Sequence, residues 1–201
     1  RGIQVAGFVN VAGKLRGLQL SGVTNIAQEI AGAQIGLVNV AGEVHGLQIG
    51  IVNVAKHVDG AAFGLVSVAG NGRVQPVLWA SSVMPVNAAV KFTVGSFYTQ
   101  LGAGYAPSDQ TYSYEVGLGA HVPIGNWFVE PGVHYSEQHD PNRVFSQDLN
   151  QNLHYRLAIG LDLSAVSPFI GAAVLHRFEH AVDGPDSRLV AVEGFGGLAF
   201  F

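Results

Sequence analysis

The chain has 201 residues, 48% of them hydrophobic and only 12% charged, with a formal net charge of −4 and no cysteine. The lack of cysteine excludes disulfides and thiolate metal sites, and the 10 Lys and Arg residues are spread singly, leaving no basic patch for nucleic acid. Mean hydropathy is +0.30, yet no apolar run reaches the roughly 18 residues of a membrane helix. So apolar a chain is expected to be a β-barrel, whose strands alternate, or a Gly-rich β-solenoid.

Residues 1–72 are repetitive. Copies start at Gly2, Gly17, Gly32, Gly46 and Gly60, so the period is 14 or 15 residues. The shared frame is Gly-x-Gln, an inner Gly, then Asn-x-Ala. Gln4, Gln19, Gln34 and Gln48 fill the first polar position, and Asn10, Asn25, Asn39 and Asn53 the second. The fifth copy, GAAFGLVSVAG, puts Ala62 and Ser67 in these places, as expected where an array ends and must be capped. Because the chain opens inside a copy, the true N-terminus and any signal segment are expected upstream.

A unit of this length is either one membrane-spanning strand plus a turn or one coil of a solenoid. Gln to Asn spans six residues in the first two copies and five in the next two. Within a continuous strand the extra residue would send every later side chain to the other face. It falls instead beside the inner Gly (Gly7, Gly22, Gly36, Gly50), where a bend absorbs it. That favours the solenoid, with Gln and Asn stacked as amide ladders. Lys14, Arg16, Glu29, Glu43, Lys56 and Asp59 all lie in the linkers after the Asn-x-Ala box. The ladders are expected to satisfy one another rather than bind a ligand, since the Thr-rich face of an ice binder is missing. His45 and His57 are read as solvated turn residues, too few for a metal site.

Residues 73–201 follow a different pattern, with segments alternating apolar and small or polar residues. In TYSYEVGLGAHV, Tyr112, Tyr114, Val116, Leu118, Ala120 and Val122 face one way. NWFVEPGVHYS sets Trp127, Val129, Val133 and Tyr135 against Phe128, Glu130, Gly132, His134 and Ser136. LHYRLAIGLDLS sets its leucines, Tyr155 and Ile159 against His154, Arg156, Ala158, Gly160, Asp162 and Ser164. A polar face mixing Gly and Ala with charges suits a narrow lumen. Tyr98, Tyr105, Tyr112, Tyr114, Trp127, Tyr135 and Tyr155 suit the aromatic girdles of a membrane barrel. Strands are expected near 76–84, 87–94, 96–105, 111–122, 126–136, 153–164, 167–178 and 188–201. Longer polar links are expected at 137–152 and 179–187. Phe201, after GFGGLAF, resembles the C-terminal insertion signal of outer-membrane barrels. Glu193 would interrupt the apolar face if Phe201 met lipid, so a bulge is expected in the last strand.

The runs GLQIGIVNVA, QIGLVNVA and GLQLSGVTNIA resemble the surface repeats of spirochaete and myxobacterial proteins. That resemblance implies a cell-envelope setting and brings no catalytic residue, cofactor or metal with it. The spacing also resembles curli subunit repeats in part, although curli units are longer and no barrel would follow them.

Chemistry has one candidate. Glu130, His134 and Ser136 alternate on one strand face, and a His-x-Ser pair with a Glu resembles the outer-membrane lipid A deacylases, which use a Ser nucleophile and a His base. Lipid chemistry needs those groups facing outward, whereas the alternation points them inward. They are better placed in a lumen network with Glu115, His154, Arg156 and Asp162, because an unpaired buried charge is costly. The expectation is therefore an all-β chain: a short-repeat β-solenoid (or strand array) over 1–72 and a small antiparallel transmembrane barrel of about eight strands over 73–201. Its role would be structural or interactive at the bacterial outer membrane, without cofactor or metal. Outer-membrane lipid is the expected partner, with other envelope proteins or further copies of the chain as additional ones. The competing readings are one larger porin-like barrel that includes the repeats, and a lipid-directed hydrolase using Ser136 and His134.

Overall fold

A repeat that carries two amides and two glycines per period can stack on itself only if each amide meets its own copy in the next turn. The computed structural model, which describes residues 1–139, 150–179 and 187–201, does this with a parallel sheet. Its strands are β1 (Gly2–Ala6), β2 (Val9–Ser21), β3 (Thr24–Ile35), β4 (Val38–Ile49), β5 (Val52–Phe63) and β6 (Val66–Ala69), paired in chain order. Equivalent residues align throughout, for example Asn25↔Asn39↔Asn53 and Gln19↔Gln34↔Gln48. The ladder skips one position per coil, held by Gly13, Gln28, Gly42 and Lys56. Gly46, at φ 138°, turns the chain again, and a Cβ there would overlap the Gly32 carbonyl oxygen one coil earlier. The extra residue of the early copies is Ser21, which pairs with Ala6 but has no counterpart in β3. Both flanking ladders keep their register across it.

Rows of Asn, Ala, Val or Ile, and Gln point into each coil, with Ile30, Val44, Gln34 and Asn39 fully buried. The Asn ladder donates forward: Asn25 Nδ2 to Asn39 Oδ1 (2.9 Å), Asn39 to Asn53 (2.9 Å), and Asn53 to Ser67 Oγ (3.1 Å). The second N–H of each Asn braces its own coil, as Asn39 does to the Ile49 carbonyl (2.8 Å). The Gln ladder donates backward, Gln48 Nε2 to Gln34 Oε1 (2.8 Å) and Gln34 to Gln19 (2.7 Å). It stops at Ala62, leaving Gln48 Oε1 without a partner. Beyond β5 the Asn71 amide substitutes for a coil, accepting from Val58 N (3.0 Å) and donating to Val58 O (2.9 Å). Residues 92–99 belong to the same compact unit as Arg1–Val74. Within it Val94 joins the apolar core and the Phe97 ring packs on Phe63 at 4.8 Å. On the outer linkers Lys14 pairs with Glu29, and that hydrogen bond holds the Glu29 carboxyl below its usual range.

The second unit, Gln75–Lys91 with Gln100–Phe201, carries the barrel. Its wall is built from β7 (Arg73–Ser81), β8 (Val86–Val94), β9 (Phe97–Ala106), β10 (Thr111–Ala120), β11 (Val122–Ile124), β12 (Trp127–His139), β13 (Asn150–Leu161), β14 (Val166–Glu179) and β15 (Ser187–Phe200). Antiparallel neighbours run from β10 back to β7, then through β15, β14 and β13 to β12, and the β10–β12 pair closes the ring. β11 continues the β10 register on the far side of His121, so the closed wall has eight strands. The larger barrel that would include the repeats is not formed, since those lie in their own parallel sheet.

Two expectations change. Tyr98 is buried in the repeat unit rather than exposed in a girdle. The register of β15 against β14 is unbroken from Ser187 to Phe200, so the bulge is absent and Glu193 simply points inward. Phe201 lies past the last paired residue, its N–H bonded to the Ala165 carbonyl (3.2 Å). Most of the two long polar links lies outside the described residues. Their flanks are already strand, because β12 runs to His139 and β13 starts at Asn150.

Candidate functional site in the barrel interior

Strand alternation sorts the barrel's side chains into two environments. Outward positions are apolar and exposed, among them Leu118, Leu157, Ile170, Val174 and Val192. Inward positions hold buried Gln75, Lys91, Gln100, Glu115, Glu130, His134, Ser136, His154, Arg156 and Glu193. Eight strands leave an interior that side chains can fill, with room for one small ligand at most. Glycines on the inner face make room for the large ones: a Cβ on Gly117 would strike the His134 ring, on Gly160 the Phe128 ring, on Gly171 the Phe195 ring, and on Gly197 Trp79.

The polar groups form clusters, each spanning several strands. Glu130 on β12 accepts from Lys91 Nζ on β8 (2.7 Å) and lies 2.8 Å from His121 Nδ1. His121 Nε2 reaches Asp162 at 3.6 Å, and Asp162, partly exposed just past β13, accepts from Ser167 Oγ (2.9 Å). Asp162 therefore closes one end of the network rather than sitting deep inside it.

In the second cluster Glu115 on β10 takes two hydrogen bonds from Arg156 on β13, Nη1–Oε1 at 3.0 Å and Nη2–Oε2 at 2.7 Å. Gln100 Nε2 (3.2 Å) and His134 Nδ1 (2.9 Å) share the same carboxylate. The Arg156 guanidinium also faces the rings of Trp79 and Phe195, 5.5 and 5.2 Å from their centroids. A planar cation between two ring faces is a favourable arrangement for a desolvated guanidinium.

The third cluster links Ser136 Oγ to His154 Nε2 (2.9 Å) and His154 Nδ1 to Glu193 Oε2 (2.8 Å). Nucleophile, imidazole and orienting carboxylate are thus connected in the order acyl-transfer chemistry requires. With His154 neutral, Nδ1–H donates to Glu193 and Nε2 accepts the Ser136 proton. With His154 charged, the same atoms make an ion pair and Nε2 donates to the hydroxyl.

The trio read from the sequence does not assemble. Glu130 turns to Lys91, His134 to Glu115, and Ser136 to His154. Side chains two apart on a strand stand roughly 6.5–7 Å from each other, whereas a neighbouring strand is about 4.8 Å away. Strand alternation sets His121 on the same face as Glu115, but Lys91, Gln100 and Glu193 are network members that it left out. Lys91 had a legible signal, since in NAAVKFTV it shares a face with Asn87 and Thr93. Among the described residues no cluster of three or more His, Cys, Asp or Glu is arranged to hold a metal.

No protein-family model matches this chain. No curated protein matches it either. Among solved structures, the outer membrane enzyme PagL aligns with 63% of this chain and 96% of its own, at 12% identity and a TM-score of 0.35. Neisserial surface protein A (NspA) aligns with 64% of this chain and 93% of its own, at 10% identity and a TM-score of 0.33. Neither likeness is tight enough to assign a role to this chain.

Proposed function

We propose that this chain is an outer-membrane protein of structural or interactive role, whose barrel spans the bilayer and anchors the repeat solenoid at the cell envelope. The observation that carries this reading is the barrel's inverted polarity. A water-soluble antiparallel sheet turns its apolar face inward. Here the apolar face is the outer one, while ion pairs and histidines fill the interior. Closing the sheet leaves no unpaired edge, which lipid demands. Aromatic Tyr114, Trp127 and Tyr155 are exposed on the outer wall, as interfacial anchors are. Further copies of the chain or other envelope proteins are the partners such an anchor would hold.

The chain's two tryptophans provide the test, since Trp127 is exposed on the outside and Trp79 buried inside. In vesicles of brominated phosphatidylcholine, the Trp79→Phe protein (Trp127 alone) should be strongly quenched and the Trp127→Phe protein (Trp79 alone) should not. Quenching of Trp127 by aqueous iodide instead would end the membrane reading.

A second reading rests on Ser136, His154 and Glu193: hydrolysis of a carboxylic ester. Ser136 Oγ would attack the carbonyl carbon while its proton passes to His154 Nε2. The alkoxide would leave with that proton as an alcohol, and water would release the acid from acyl-Ser136. Fluorophosphonate labelling lost in Ser136→Ala and weakened in Glu193→Gln would support it. A folded, heat-modifiable protein that never labels would remove it.

A further inference from the structure

The solenoid carries a second apolar surface that the barrel's role does not use. Within the five copies, every residue from the opening Gly to the closing Ala is uncharged; all charged side chains between residues 2 and 72 sit in the linkers. The coil thus has one charged edge, with Lys14, Glu29, Glu43 and Lys56, and one uncharged flank. On that flank the turn after the inner Gly presents Phe8, Val23, Leu37, Ile51 and Leu65, one above another and all exposed. Exposed Ile26 and Val54 lie in the next row.

A turn in water carries Gly, Asn, Asp or Ser and gives its backbone to solvent. These turns keep the Gly but set a large apolar residue beside it, and they do not give their backbone to solvent. Thr24 N–H donates to the Phe8 carbonyl (2.8 Å), Val38 to Val23 (2.8 Å), Val52 to Leu37 (3.0 Å) and Val66 to Ile51 (3.0 Å). The carbonyls of the apolar turn are therefore bonded from coil to coil, which lowers the cost of setting them against hydrocarbon. Protein contacts draw most of their binding energy from Trp, Tyr and Arg anchors, with Leu and Val under-represented, and this flank offers rows of aliphatic side chains instead. β6 ends at Ala69 and β7 starts at Arg73, so the array is tethered by a few residues to a barrel with a lipid-facing wall.

From this we infer that the solenoid is itself an amphipathic membrane-binding element, lying with the Phe8–Leu65 row in the acyl region of a leaflet and its charged edge in water. The inference rests on the membrane reading of the barrel, and the following experiment separates the two. The native chain has no cysteine, so single cysteines can be placed by Leu37→Cys, Ile51→Cys, Lys56→Cys and, on the barrel wall, Leu157→Cys. Each full-length protein is labelled with bimane, reconstituted into phosphatidylethanolamine–phosphatidylglycerol vesicles, and quenched by nitroxide-bearing acyl chains or by aqueous iodide. Labels at 37 and 51 should follow the label at 157, several-fold more sensitive to the lipid quencher, while the label at 56 should follow iodide. Iodide quenching at 37 and 51 with lipid quenching at 157 would overturn the solenoid inference alone. Iodide quenching at 157 would overturn the barrel reading and this inference with it. Shielding of 37 and 51 from both quenchers would mean a protein cover, a second copy if dilution to one chain per vesicle removes it, and would likewise overturn the inference.

Discussion

Arg156 and Glu115, 41 residues apart in the chain, meet in a two-point ion pair inside the barrel, at 3.0 and 2.7 Å. Neither is solvated, so their value depends on both being present. Removing one partner of a buried pair costs about 3–5 kcal/mol, because the survivor is left uncompensated, whereas replacing both by apolar residues is often neutral. Arg156→Met and Glu115→Leu are each expected to lower the unfolding free energy of the detergent-solubilised, heat-modifiable form by that order, read from its urea midpoint and slope. The double variant should recover most of the loss. Additive effects in the double variant would show that the pair is not coupled.

The Asn ladder behaves differently because each amide serves two neighbours and its own coil. Asn39→Ala strands the Asn53 Oδ1 acceptor and one N–H of Asn25, and leaves the Ile49 carbonyl with the Gly36 N–H alone. At about 1–3 kcal/mol per buried unsatisfied group, the array should lose several kcal/mol. Limited proteolysis of the folded protein is expected to cut within the repeats of this variant while sparing the barrel. Equal resistance of Asn39→Ala and the native chain would contradict the ladder's structural role.

Glycines of the same repeat should not respond alike. At Gly46 the backbone is at φ 138° and the carbonyl of Gly32 blocks a side chain, whereas a Cβ on Gly13 meets nothing within 4 Å. Gly46→Ala is expected to destabilise by more than about 1 kcal/mol, and Gly13→Ala to be neutral or stabilise by about 0.4–1 kcal/mol. Thermal unfolding followed by the 218 nm circular dichroism band, at roughly the β-sheet minimum, checks the order of the two.

At the end of the array, Asn71 replaces a missing strand with one side chain. Asn71→Ala removes both hydrogen bonds to Val58, a loss of about 1–3 kcal/mol that should be felt locally. Amide exchange at Val58 should speed up, while that at Val44, one coil deeper in the ladder, stays slow. Unchanged exchange at Val58 would mean that other groups cap this end.

The lumen is filled by rings and ion pairs, so reconstituted vesicles should not swell in isotonic sugar. Swelling at rates typical of open porins would contradict a side-chain-filled interior.

What the sequence determined on its own was everything governed by translation or alternation. Gln19, Gln34 and Gln48 meet because residues one period apart must coincide when equal units stack, and the indel beside the inner Gly marked a bend that proved to be Ser21 at a strand end. Alternation likewise placed Glu115, His134 and Arg156 inside and Leu157 and Tyr155 outside, since a strand has only two faces. Tertiary structure alone decided which inward groups touch. Lys91 with Glu130 and His154 with Glu193 are both 39 residues apart, and their meeting depends on how far each strand is staggered when the barrel closes. No local pattern records that stagger. For the same reason Ser136 found its imidazole on the next strand rather than two residues away, and Tyr98, at the end of a hairpin, was drawn into the repeat unit instead of the outer wall.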